Sequence, residues 1–159
     1  AMQIHIGYRL KCRHSTFDTS FSFFNFPGGN TMNKAEPITT THAPKAIGPY
    51  SQGIAAGQFL FVSGQLPIDP ENGEMVNGDI AARAEKVLEN VSAIVKSAGG
   101  SMADIVKVTL FLTDMADFQQ VNEVYSRHFQ VPYPARSAVQ VSALPLGSNI
   151  EAEAIVYLP

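Results

Sequence analysis

Residues 131–159 read VPYPARSAVQVSALPLGSNIEAEAIVYLP, and this stretch contains two runs in which side chains of different character alternate. Successive side chains of a β-strand point to opposite faces, so the alternation predicts two strands with one apolar face each. The apolar faces comprise Val139, Val141 and Ala143 in the first run and Ile150, Ala152, Ala154 and Val156 in the second. The opposite faces carry Arg136, Ala138 and Gln140 in the first run and Glu151, Glu153, Ile155 and Tyr157 in the second.

The segment between the two runs, residues 144–149, contains a proline and a Gly-Ser-Asn cluster, which are typical of a turn. We therefore predict a hairpin in which the two runs are neighbouring strands. If their apolar faces coincide, Arg136 shares the other face of the sheet with Glu151 and Glu153. The predicted register places Glu151 opposite Gln140, roughly 13 Å along the strand from Arg136.

An arginine beside a glutamate on one sheet face has two interpretations, and the pattern alone leaves both open. The first is a cross-strand ion pair on a wet surface, which contributes from tenths of a kcal/mol to about 1 kcal/mol. The second is a site in which the planar fork of Arg136 binds a small carboxylate. In that site a glutamate would act as a base or orient a water molecule.

The composition excludes several classes of protein. The chain has 159 residues, of which 45% are hydrophobic and 16% charged, so one globular domain is expected. A formal net charge of −3 gives no electrostatic reason to expect nucleic-acid binding, and no apolar run approaches the ~20 residues of a membrane span. Cys12 is the only cysteine and the four histidines show no metal-ligand spacing, so a metal enzyme is disfavoured.

Residues 1–31 differ in composition from the rest of the chain. They carry three basic residues against one acid, Asp18, and include the stretch HSTFDTSFSFFNF. Basic, serine-rich and acid-poor leaders are typical of organelle transit peptides, whereas Met32 followed by Asn-Lys resembles a natural start. We expect residues 1–31 to be a non-catalytic extension, flexible or non-native, and residues 32–159 to form the functional domain. We also expect a cytoplasmic location, unless the leader directs the protein to an organelle.

Residues 33–130 predict an arm, two strands and two helices. In order along the chain, they are an extended arm over 33–48, a strand over 58–63, a helix over 80–98, a strand over 104–112 and a second helix. Asp79 is the predicted cap of the first helix. The second helix has its buried positions between Phe118 and Phe129, and Thr113 or Asp114 is its predicted cap. Two helices cannot cover both faces of a sheet of five or six strands, so we predict an α+β fold with both helices on one face. The other face would carry Phe111, Ala138 and Ile155, which predicts that a second subunit covers it.

Five motifs occur in register along the predicted domain. They are GPYSQG at 48–53, SGQLP at 63–67, VNEVY at 121–125, PARSAVQV at 134–141 and IEAEAIV at 150–156. Together they resemble the RidA/YjgF reactive-intermediate deaminase family, and the resemblance runs from about residue 33 to residue 159. No single motif is decisive, but five in order are highly specific.

The resemblance implies a chorismate-mutase-like α+β fold, with a mixed sheet of about six strands and two helices on one face. It also implies a homotrimer with ligand clefts between neighbouring subunits. The implied activity is hydrolysis of 2-imino acids or their enamine tautomers, such as 2-iminobutanoate and 2-iminopropanoate, to 2-keto acids and ammonia. The implied partners are a small imino or keto acid and two further copies of the chain, and the family carries no cofactor.

The resemblance also implies site residues. It assigns the substrate carboxylate to Arg136 and the attacking water to Glu151, and it places further ligand contacts at Tyr50, Ser63, Gly64, Asn122 and Ala138. One departure stands at Ala138, where the family often has a cysteine. Activity would survive there if backbone groups, rather than a side chain, contact the imine nitrogen.

Two other classes of function remain open at this point. Relatives have been named translation inhibitors, endoribonucleases and chaperones, so the chain could be a binding or regulatory protein. The acidic body and the absence of paired histidines or a basic stripe argue against a nuclease. A paralogue could also keep the fold and bind another small carboxylate in the cleft.

Overall fold

One mixed sheet of six strands organises the part of the chain that the computed structural model describes, residues 35–158. The strands are β1 (Glu36–Ile38), β2 (Gly53–Ala56), β3 (Phe59–Gln65), β4 (Ile105–Leu112), β5 (Ala135–Gln140) and β6 (Ile150–Tyr157). Their order across the sheet is β1-β2-β3-β6-β4-β5. Only the β4–β5 pair is parallel, and the other neighbours in this sheet are antiparallel. The leader predicted over residues 1–31 lies outside the described residues.

Two α-helices connect the strands, and both were predicted by the 3.6-residue period of their apolar positions. Helix α1 spans Ile80–Ser97, and the Asp79 side chain caps it by accepting a hydrogen bond of 2.9 Å from the backbone N–H of Ala82. Helix α2 spans Phe118–His128 and follows a 3₁₀ turn that Asp114 caps. Gly99, with φ of +84°, lies just beyond the end of α1 in the left-handed region that favours glycine.

The hydrophobic core lies between the two helices and one face of the sheet. Its fully buried side chains include Leu60, Val87, Val91, Ile94, Leu110, Leu112, Val121, Ile150 and Val156. They come from both helices and from the three central strands of the sheet. The α+β prediction, with two helices on one face of a sheet of about six strands, is confirmed. No helix among residues 35–158 combines the length and apolarity that a membrane crossing requires.

The predicted hairpin of the last two strands is wrong. Strand β4 lies between β5 and β6, pairing with β5 in parallel and with β6 in antiparallel fashion. The chain does reverse direction after β5, as the turn residues indicated, but the connection through residues 141–149 crosses the end of β4 before it re-enters the sheet. A turn signal shows that the chain reverses and does not show which strand already occupies the neighbouring place.

The predicted common face for Arg136 and Glu151 is also wrong. Arg136 pairs with buried Val108 and therefore faces the helices, whereas Glu151 pairs with Phe111 and faces away from them. Ala138 packs against the core and does not belong to the uncovered face, while Val139 is 41% exposed. Both faces of β5 carry small apolar residues, so apolarity alone could not tell which one meets the helices.

The face of the sheet that the helices leave uncovered, which we call the open face, is rich in apolar side chains. Phe61 and Tyr157 are 47% and 42% exposed there, and Phe111 and Ile155 are partly buried. Phe59 and Tyr157 pack edge to face with ring centroids 5.6 Å apart. Aromatic side chains are therefore concentrated on the side of the sheet that the two helices do not cover.

Gln52 anchors the arm that precedes β2. Its side chain is 3% exposed, accepts a hydrogen bond from Thr40 N–H at 2.7 Å, and donates to the carbonyls of Thr40, Ala43 and Pro44. One buried amide therefore satisfies several backbone groups of an irregular segment that has few ladder hydrogen bonds of its own.

Replacing Gln52 with alanine should lower the free energy of unfolding by about 1–3 kcal/mol, because backbone groups of the arm lose their buried partner. Urea unfolding followed by circular dichroism measures this change. Gln119→Ala, on the exposed surface of α2, is the matched control and should stay within about 0.5 kcal/mol of the parent. Equal stability of the two variants would show that Gln52 does not hold the arm.

Candidate functional site

Arg136 lies against one face of α2, and we call Arg136, Phe118, Asn122, Tyr125 and Ala138 the arginine cluster. Its guanidinium carbon is 4.5 Å from the ring centroid of Tyr125 and 5.3 Å from that of Phe118. One terminal nitrogen donates a hydrogen bond of 2.9 Å to Oδ1 of Asn122. Ala138 follows Arg136 by two residues on β5 and shares its face.

The spacing along α2 explains why three of its residues meet one guanidinium. Phe118, Asn122 and Tyr125 are separated by four and three residues, so they lie on one face of the helix. Tyr125 is 4% exposed, and its hydroxyl has no hydrogen-bond partner among the described residues. Burial raises the pKa of Tyr125 to about 12, against the opposing effect of the Arg136 charge, so the phenol stays protonated at physiological pH.

Arg136 has no carboxylate partner within residues 35–158. The ion pairs in this part of the chain are Lys86–Glu89, Arg127–Glu85 and His128–Glu85. The interpretation of Arg136 and Glu151 as a cross-strand surface pair is therefore wrong for this protomer. A partly buried guanidinium that keeps N–H groups uncommitted can bind an anion.

Glu151 lies against a bulge in β3, and we call Glu151, Ser63 and Gly64 the glutamate cluster. Val62 pairs with Ala154 and Gln65 with Ala152, so β3 carries one residue more than β6 between these pairs. A β-carbon added at Gly64 would lie 2.7 Å from Cδ of Glu151, closer than atoms can pack. Glycine is therefore required for the carboxylate to lie directly over this backbone.

Burial raises the pKa of Glu151 above its usual value, and the neighbouring negative charge of Glu153 raises it further. A carboxyl group that titrates closer to neutral pH than a free glutamate can both accept and return a proton. Its position on the open face leaves it able to meet a ligand or another chain. The cluster therefore supplies a candidate acid–base group.

Ser63 links the glutamate cluster to the segment that carries Tyr50. The Ser63 hydroxyl donates to the Ser51 carbonyl at 2.6 Å, and the Ser63 N–H donates to the Gln52 carbonyl at 3.0 Å, so the bulge is tied to the segment that carries Tyr50. Tyr50 is 51% exposed, and its hydroxyl accepts a hydrogen bond of 3.3 Å from Ile47 N–H. With Lys45 and other neighbours it lines a cleft of about 430 Å³.

The two clusters do not meet within one protomer. Phe111 pairs with Glu151 on one side and Val139 on the other, so Glu151 is level with Val139 rather than with the predicted Gln140. Arg136 lies three residues before Val139 on β5, and β5 is two strands from β6, which carries Glu151. Arg136 and Glu151 are therefore separated by roughly 10 Å along the strands and roughly 10 Å across the sheet, and they lie on opposite faces. Each cluster is therefore half of the predicted site.

The structure adds Phe118 and Tyr125 to the residues predicted from the sequence. Both fall within the predicted buried positions of α2, and their spacing with Asn122 is the signal that could have linked them to one group around Arg136. Among residues 35–158, no group of three His, Cys, Asp or Glu side chains is placed to hold a metal ion.

The chain is similar to known proteins over most of the described residues. The sequence profile described as Endoribonuclease L-PSP matches residues 40–158. A RutC family protein of Pyrococcus abyssi is 56% identical over 122 residues, covering 77% of this chain and 96% of that protein. The 2-iminobutanoate/2-iminopropanoate deaminase of Homo sapiens is 46% identical over 118 residues, covering 74% and 86% respectively. The crystal structure of E. coli TdcF with bound serine has a TM-score of 0.74 and 47% identity, covering 78% of this chain and 99% of that one.

Replacing Gly64 with alanine should displace the Glu151 side chain, because the new methyl group overlaps the carboxylate, and should lower the free energy of unfolding by only about 1 kcal/mol or less, because the group that must move is the end of a flexible side chain. A crystal structure and urea unfolding measure the two effects. Gly73→Ala is the control: Gly73 has φ of +76° and open space around it, so strain should lower stability without moving Glu151. An unmoved Glu151 in Gly64→Ala would contradict the predicted overlap.

Proposed function

The chain belongs to the RidA/YjgF family, and from this premise we propose that it hydrolyses 2-imino acids to 2-keto acids and ammonia. The proposed substrates include 2-iminobutanoate, 2-iminopropanoate and their enamine tautomers. Support comes from a human relative, 46% identical, that is named a deaminase for these two compounds. Support also comes from the chemistry of the two clusters, which supply an anion-binding group and an acid–base group.

The observation that carries the proposal is the uncommitted fork of Arg136. Asn122 accepts from one terminal nitrogen, and the other terminal nitrogen and Nε have no hydrogen-bond partner within the described residues. Two parallel N–H groups match the two oxygens of a carboxylate. Every 2-imino acid carries such a carboxylate beside the carbon that reacts, so binding it at Arg136 would also orient the reacting centre.

We propose that the complete site forms between protomers of a homotrimer. The arginine cluster of one protomer would meet the glutamate cluster, with Tyr50, of its neighbour, because the two clusters lie on opposite faces of one sheet. The exposed aromatic side chains of the open face, including Phe61 and Tyr157, favour its burial against another copy.

In the proposed reaction Glu151 accepts a proton from water as the water oxygen attacks C2 of the imine. The electron pair of the C=N bond moves to nitrogen, which takes this proton from Glu151, and a tetrahedral amino alcohol results. Transfer of the hydroxyl proton to the nitrogen and cleavage of the C–N bond then release ammonia and leave a C2 carbonyl. The backbone at Ala138 and the Ser63–Gly64 bulge would line the cleft, and water is the only co-reactant.

Nucleic acid is not the substrate in this proposal, although the family profile is described as Endoribonuclease L-PSP. A net charge of −3 gives the chain no excess of cations to neutralise phosphates. Incubation with RNA followed by gel electrophoresis tests this part of the proposal. Cleavage that persists in an Arg136→Ala variant would show a nuclease site elsewhere.

Arg136→Ala should lower kcat/KM by roughly 30-fold or more, because the substrate carboxylate loses its charged partner. A threonine dehydratase generates the imine, and the rate of 2-ketobutanoate release is measured with and without the protein. Arg127→Ala is the matched control: it removes the same charge from an exposed position on α2 and should keep full activity. A parent protein that adds nothing to the rate in buffer would overturn the proposed function.

Glu153→Gln should move the acidic limb of the pH profile of kcat/KM to lower pH. Glu151 must be ionised to accept a proton, so activity falls as the pH drops through its pKa. Removing the like charge of Glu153 lowers that pKa, so Glu151 stays ionised at lower pH. Glu74→Gln, in an exposed loop, removes the same charge at a distance and should leave the limb in place. An unshifted limb in Glu153→Gln would show that Glu151 is not the titrating base.

A further inference from the structure

We propose that α2 positions Arg136: the rings of Tyr125 and Phe118, together with Asn122, hold the guanidinium in its anion-binding geometry within each protomer. Asn122 then acts through Arg136, rather than as a direct ligand contact. All of these contacts are made within one protomer. This inference rests on the proposed function only in taking the ligand to be a carboxylate.

The three contacts restrain the guanidinium in different directions. The rings lie 4.5 Å and 5.3 Å from its central carbon, within the range of a cation–π interaction, and Asn122 holds one terminal nitrogen at 2.9 Å. Because all three residues project from one face of one helix, their relative positions are set by the helical backbone. Arg136 is held by a rigid element and not by a loop.

Aromatic contacts suit an arginine that must still bind an anion. A guanidinium is weakly hydrated and stacks on aromatic faces, while its N–H groups point outward in the plane of the group. Ring contacts therefore compensate for lost hydration without using the donors that a carboxylate needs. An ion pair with a resident glutamate would have occupied those donors, and none is present on Arg136 among the described residues.

Tyr125 itself is held firmly in the core. It is 4% exposed and its ring centroid lies 4.3 Å from that of Phe129, with the ring planes 31° apart. The Tyr125 hydroxyl makes no hydrogen bond among residues 35–158, so Tyr125 contacts the rest of the protomer through its ring. Phenylalanine should therefore replace Tyr125 without loss of the positioning, whereas leucine keeps an apolar side chain and removes the cation–π face.

The experiment compares Tyr125→Leu with Tyr125→Phe in the full-length protein. Tyr125→Leu should raise KM by about 3- to 30-fold with little change in kcat, and Tyr125→Phe should leave both near the parent values. Val121→Ala is the control for core damage: Val121 is 1% exposed on α2, so the change lowers stability, and KM should not change. A KM that rises equally in Tyr125→Leu and Val121→Ala would overturn the inference.

A spectroscopic measurement tests the positioning without any use of activity. The Nε–H signal of Arg136, assigned by its loss in Arg136→Lys, should be shifted by the aromatic ring currents in the parent and in Tyr125→Phe. It should move towards the position of a free arginine in Tyr125→Leu. An unchanged signal in Tyr125→Leu would overturn the inference. If the parent instead shows no deaminase activity, the proposed function fails, while this signal still decides whether α2 positions Arg136.

Discussion

The pairing of β4 with β6 on one side and with β5 on the other is the constraint on which the site depends. Each ladder holds its partner in a fixed register, so Val108 sets the level of Arg136 and Phe111 sets the level of Glu151. A slip of one residue in either ladder would turn the affected side chain to the other face of the sheet. The burial of Val108, Leu110 and Leu112 under the helices makes such a slip costly, because it would expose the core side of β4.

The two clusters are held in contrasting environments. Arg136 is half-buried, with aromatic rings and an amide around it and no resident carboxylate among the described residues. Glu151 is pressed onto the backbone at Gly64, where burial raises its pKa above the usual value. One cluster is thus ready to receive negative charge, and the other is ready to exchange a proton. A ligand that carries a carboxylate next to a polarised carbon could bind to the first cluster through its carboxylate and exchange a proton with the second.

Much of the fold could be predicted because its signals are local. The period of α1 and the cap at Asp79 are contained within the helix itself, and the alternation of β6 shows directly which side chains enter the core. The faces of β5 could not be assigned, since Ala138 and Val139 are both small and apolar and only the position of α2 distinguishes them. The place of β4 between the last two strands depends on pairing between distant segments. The contact of Gly64 with Glu151 likewise depends on a bulge whose register is set across two strands.

The anchoring of the arm by Gln52 ties the backbone ahead of Tyr50 to the start of β2. The segment is held first by the β1–β2 ladder over Glu36–Ile38 and then by the buried amide over residues 40–44, before the backbone reaches Tyr50. Both attachments are made by residues of the described part of the chain. The course of the backbone towards Tyr50 is therefore set by two separate attachments, so loss of either one would leave the other in place.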